Sequence, residues 1–146
     1  MTGVNHGLTG GLIGKLLPLP LVIPVAFVSH FVLDMLPHYG ISHKKRDRSM
    51  FWKVFFTLDT LATLGLAIYA VAQKHYTMFL GGLAATMPDY VWVAHVISTR
   101  SFNLSSSKNR FSKWHASIQG LERPWGLWIE LPLTAILFYI VMIRLW

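Results

Sequence analysis

Apolar residues run almost unbroken through three long stretches of this chain, about Met50 to Ala72, Thr77 to Ser98 and Trp125 to Trp146. Roughly 20 apolar residues carry a helix across bilayer hydrocarbon, so each stretch predicts a spanning helix. The N-terminal part is patterned differently. Two apolar runs, Leu8 to Leu17 and Leu21 to Leu36, are divided by Pro18 and Pro20, with Pro24 one turn later. Proline lacks a backbone donor and clashes with the preceding turn, so the pattern predicts a short helix, a turn and a longer helix. Gly7, Gly10, Gly11 and Gly14 give the first arm a small-residue face on which a neighbour can approach closely. The expected fold is all-α: one integral membrane domain over residues 1–146, a helical bundle made of a short N-terminal helical hairpin plus three transmembrane helices.

Composition strengthens this picture. Hydrophobic residues make up 53% of the 146 positions and charged residues 13%, and the mean hydropathy is +0.47, the profile of a membrane protein. The absence of cysteine excludes disulfides and thiolate metal sites. "MTGVNHGLTGGLIGK" has no charged leader pattern, so no cleaved signal peptide is expected. The net charge of +7 is concentrated in two loops, one with Lys44, Lys45, Arg46 and Arg48, the other with Arg100, Lys108, Arg110, Lys113 and Arg123. The positive-inside rule then puts both loops and the N-terminus in the cytoplasm and the C-terminus outside, in a prokaryotic plasma (inner) membrane. Trp52, Trp114, Trp125 and Trp146 fall near the expected interfaces, and "RFSKWHASIQG" mixes basic and aromatic residues as a lipid-surface segment does. Membrane lipids, anionic ones above all, are the expected partners. Nucleic acid is not expected, and a homo-oligomer is compatible with the sequence.

Polar residues inside the apolar runs alter the functional outlook. His30, Asp34 and His38 recur at a spacing of four. Over eight residues a helix drifts by only about 80°, so all three share a face if the helix continues that far. Asp59 and Asp89, far apart in sequence, come to similar depths on helices running in opposite directions, and His6, His115 and Glu130 gather at the same side. A carboxylate in hydrocarbon costs about 2.5–3.5 kcal/mol even on lenient scales. No lysine or arginine is expected at that depth, and a divalent cation would supply the missing charge. Imidazole and carboxylate donors without thiolate suit zinc, manganese or iron. The bland alternatives are interfacial histidines, helix-capping aspartates, and a Glu130 that pairs with Arg123 or Lys113. His43, His75 and His95 are read as loop or off-face residues.

"HGLTGGLIG", "SHFVLDMLPHY" and "ATMPDY" resemble the YdjM-like family of small membrane-bound metal-dependent hydrolases. The His30 to Asp34 core is also similar to the helix motif by which zinc-dependent phospholipases C and related single-strand nucleases hold their metals. The resemblance implies a hydrolase using one or more divalent metals, zinc foremost, with His6, His30, Asp34, His38 and Asp89 as ligands. Asp59 or His115 would then orient or deprotonate water or protonate a leaving group. Lys44, Lys45, Arg46, Lys108 and Arg110 around the site favour an anionic ester, and the expected substrate is a phosphoester of a lipid or lipid-linked molecule. Two other classes fit the same residues: a small oligomeric transporter or ion pathway using buried Asp and His, and a non-catalytic structural or adaptor protein. Enzymes built on a serine nucleophile elbow, a phosphate loop or a dinucleotide fingerprint are set aside, since none of those motifs occurs.

Overall fold

A computed structural model describes residues 1–101 and 109–145, apart from the side chains of His43, Lys44, Arg144 and Leu145. The chain is mostly helical. Helices α1 (Gly3–Leu16) and α2 (Leu19–Asp34) form the expected hairpin, turning at Leu17 and Pro18. Pro20 falls in the first turn of α2, where a missing N–H costs nothing. Helix α1 begins well before its apolar run, at Gly3 instead of Leu8, and its cap residue Thr2 gives no side-chain hydrogen bond. The first N–H groups are instead met by carboxylates from other helices. Asp59 accepts from Gly3 N at 2.8 Å and Val4 N at 3.0 Å, and Glu130 accepts from Thr2 N.

Helix α2 stops at Asp34, because the residue before Pro37 is turned away from helical geometry. His38 therefore leaves the helix, and the expected three-residue helical face is reduced to His30 and Asp34. His38 and Tyr39 form a two-residue strand, β1, paired in parallel with β2 (Glu122–Arg123), His38 opposite Glu122. A short α3 (His43–Arg46) leads into α4 (Met50–Ala72), whose first turn is capped by Ser49 Oγ accepting from Trp52 N at 3.1 Å. Helix α5 (Tyr76–Thr99) ends at Arg100, in the left-handed region with φ 55°. Helix α6 (Arg110–Ile118) starts from an Asn109 cap, and a 3-10 turn at Pro124–Gly126 opens α7 (Leu127–Tyr139), which loosens into a π-helical Ile140–Leu145.

Helix α1 is the hub, packed against α2, α4, α5 and α7. Gly10 lies against Gly81 and Gly14 against Thr77, so closely that a Cβ at Gly10 or Gly14 would collide with the α5 backbone. Leu8, Met78, Leu137 and Val141 form one apolar cluster, and Ala26, Ala84 and Ala85 a second where α2 meets α5. Among the described residues, two helices are long and apolar enough to cross a membrane, Met50–Ala72 and Pro124–Ile143. The third expected span, α5, does not meet the same measure, since Gly81, Gly82, Thr86, Pro88 and Asp89 dilute its apolar run.

Candidate metal centre

The end of α2 brings His30 and Asp34 together one turn apart, with His30 Nε2 3.2 Å from Asp34 Oδ2. Helix α6 adds His115, whose Nε2 lies 2.7 Å from Asp34 Oδ2 and 2.9 Å from His30 Nε2. Helix α5 adds Asp89, with Oδ1 3.8 Å from His30 Nε2. One ligand atom from each of these four residues lies within 4.8 Å of the other three, so the group could hold a metal ion. His30, Asp34 and His115 are buried and Asp89 is partly so. An aromatic cluster of Phe31, Phe111 and Trp114 fastens α6 to α2 and thereby delivers His115.

Hydrogen bonding fixes how these groups present themselves. His30 Nδ1 lies 2.7 Å from the Ala85 carbonyl oxygen, which can only accept, so Nδ1 carries a proton and the neutral ring offers its lone pair to the centre from Nε2. Gln119 Nε2 donates to Asp34 Oδ2 at 3.0 Å. The other oxygen of Asp34 faces His6 Nε2 at 3.2 Å and the Met1 amino nitrogen at 2.5 Å. His6 also stacks on His30, ring centroids 4.0 Å apart.

The centre is thus a convergence of acceptors: an imidazole lone pair, two carboxylates and a second imidazole. Among the described residues no lysine or arginine pairs with Asp34 or Asp89. The Met1 ammonium offsets charge on the Oδ1 side only. The Oδ2 side could hold a metal ion, and a carbonyl-held imidazole is the outer arrangement that orients histidine toward metals. The two-nitrogen, two-oxygen donor set does not single out zinc from manganese or iron.

Several expected residues lie elsewhere. His38 donates from Nδ1 to the Leu36 carbonyl at 2.7 Å, leaving a buried Nε2 without a partner, outside the group of four. Burial, aided by the Met1 ammonium, pushes the His38 imidazole below its ordinary range. Asp59 is occupied with the start of α1, and Glu130 accepts from Tyr39 N at 2.9 Å as well as from Thr2 N, not from Arg123 or Lys113. Arg46 is buried in an ion pair with Glu122 and lies 4.7 Å over the Trp52 ring. Lys45 and Arg110 are exposed, whereas the Lys44 side chain and Lys108 lie outside the described residues. His115, expected to act on water, is one of the four residues that could hold an ion. Sequence reasoning passed over Gln119, although it sits one helical turn after His115 and its spacing could have flagged it.

Fold and site define a mostly helical protein with two helices apolar enough to cross a membrane and a buried His/Asp group able to hold a metal ion. No family model, curated protein or solved structure matches the chain.

Proposed function

We propose that the chain is an integral membrane, metal-dependent hydrolase that cleaves a phosphoester of a lipid or lipid-linked anion from the cytoplasmic side. The observation that carries this reading is the convergence of His30 Nε2, Asp34, Asp89 and His115 on one point, where among the described residues no lysine or arginine pairs with either aspartate. The likeness of the "SHFVLDMLPHY" and "ATMPDY" segments to YdjM-like hydrolases supports it further. So does the exterior: only 6% of the apolar window of α4 is buried by the rest of the fold, leaving Leu58, Leu61, Leu64 and Ile68 exposed. Apolar surface on that scale calls for a lipid or protein partner. In this reading α5 is a third span whose Thr86 and Asp89 are sheltered by the hairpin.

His30, Asp34, Asp89 and His115 would hold the ion, which supplies Lewis acidity toward a phosphoryl oxygen and acidifies water. Gln119 keeps Asp34 oriented through its hydrogen bond to Oδ2. His6 donates from Nε2 to Asp34 Oδ1 and so holds the other oxygen of that carboxylate in place. The role expected of Asp59 becomes one of anchoring: by fixing the first turn of α1 it fixes His6.

Elemental mass spectrometry of detergent-purified protein tests the reading, with wild type compared to the double variant His30→Ala, Asp34→Asn. About one equivalent of zinc, manganese or iron per chain is expected, lost in a variant that keeps its helical circular dichroism, together with metal-dependent hydrolysis of a phosphoester by wild type alone. Metal-free wild type after reconstitution would sink the proposal and favour the transport or structural classes.

A further inference from the structure

The polar centre opens into the apolar body of the molecule. A cavity of about 300 Å³ lies between α1, α4 and α5, bounded by His38, Asp89 and His115 at its polar end and by Leu64, Ala67 and Met78 in its apolar part. That volume is at the low end of the ~300–1,000 Å³ typical of ligand pockets, room for one hydrocarbon chain and not two. Among the described residues, the buried polar atoms on its wall without a hydrogen-bond partner include His38 Nε2 and Trp52 Nε1.

The glycines of α1 divide into two kinds. Gly10 and Gly14 are required by packing, since a Cβ would strike the α5 backbone. At Gly7 a Cβ would come no closer than 3.9 Å to Thr63, and at Gly11 no closer than 3.8 Å to Met78, ordinary contact distances. Backbone approach does not demand glycine at these two positions. Both line the cavity, and their missing side chains keep it open.

We propose that this cavity receives the single hydrocarbon tail of the substrate, so that the substrate is a one-chain amphiphile with a phosphate end. The phosphate meets the His30, Asp34, Asp89 and His115 group, and Trp52 Nε1–H is a buried donor for one of its oxygens. The thinly covered side of α4 gives the tail lateral access from lipid. The headgroup chemistry rests on the hydrolase reading above, whereas occupation of the cavity by a tail does not.

The probe is a lysophosphatidic acid with a diazirine in its acyl chain, photolysed with the full-length, metal-loaded protein in detergent. Labelling is expected on the α4 and α5 peptides around Thr63 and Leu83, competed by unlabelled lysophosphatidic acid but not by glycerol phosphate or two-chain phosphatidic acid. Gly7→Phe fills the cavity and should lose this labelling while retaining metal, and Gly7→Ala should keep it. Should Gly7→Phe misfold, Gly11→Leu and the competition series decide the matter. Labelling confined to outward residues such as Leu61 and Ile68, or unchanged in the folded blocking variant, overturns the proposal, as does equal competition by phosphatidic acid. Specific labelling without any hydrolysis would sink the hydrolase reading and leave the tail site standing. Metal-dependent hydrolysis at equal rates for glycerol phosphate and lysophosphatidic acid, without specific labelling, would do the reverse.

Discussion

One proton on His30 decides the character of the centre. Because the Ala85 carbonyl claims Nδ1–H, Nε2 is free to bind, and Gln119 does the matching work for Asp34. Outer partners of this kind are worth about 10–100-fold in metal affinity. Gln119→Ala is therefore expected to weaken metal binding by that factor, read by competition with a chromogenic chelator, without altering the melting temperature appreciably. The capping carboxylates behave in the opposite way. Asp59→Asn and Glu130→Gln each replace one acceptor oxygen by an NH2 facing a backbone N–H, at a cost of about 1–3 kcal/mol. Thermal unfolding in detergent should register that loss, and unchanged stability would remove the anchoring role. His30 and Asp34 were legible in the sequence because both sit on one helical turn, whereas the duties of Asp59 and Glu130 depend on where the start of α1 falls in three dimensions. No spacing along the chain encodes that.

Among the elements, α1 carries most of the organisation. Its small residues let α5 approach at Gly10 and Gly81, and this contact supports the turn of α5 that holds Ala85 and Asp89. Gly10→Ala should cost about 1–3 kcal/mol or more through overpacking. Gly65→Ala on α4, where a Cβ meets nothing within 4 Å, should be neutral or stabilise by up to about 1 kcal/mol. Equal effects of the two on thermal stability in detergent would contradict the packing described. The hairpin and its glycine face could be read directly from proline and glycine positions. The end of α2 could not be read as securely, because the apolar run continues to Leu36 while the helix ends at Asp34, ahead of Pro37. That ending takes His38 off the helix and onto β1, where it pairs across to the Glu122 segment. A periodicity argument sees the fourfold spacing and misses the turn within it.

At the scale of the whole molecule, the mostly helical fold followed from composition and run length, while the number of spans did not. Among the described residues, only α4 and the α7 region satisfy length and apolarity together. Helix α5 is long enough but gives up apolar character to the residues that pack on α1 and form the centre. Sidedness offers a decisive check, made simple by the absence of cysteine from the chain. Lys45 and Gln73 are exposed residues just before and just after the 23-residue α4, whose length of about 34 Å at 1.5 Å per residue exceeds the ~30 Å of bilayer hydrocarbon. If α4 crosses the membrane in the direction set by its basic flanking loop, Lys45→Cys reacts with an impermeant maleimide only from the cytoplasmic face of vesicles and Gln73→Cys only from the outer face. Reaction of both from one face would mean that α4 lies against other protein or along the surface. The His/Asp centre would then open to a different phase from the one proposed, and the proposed substrate would have to reach it from water.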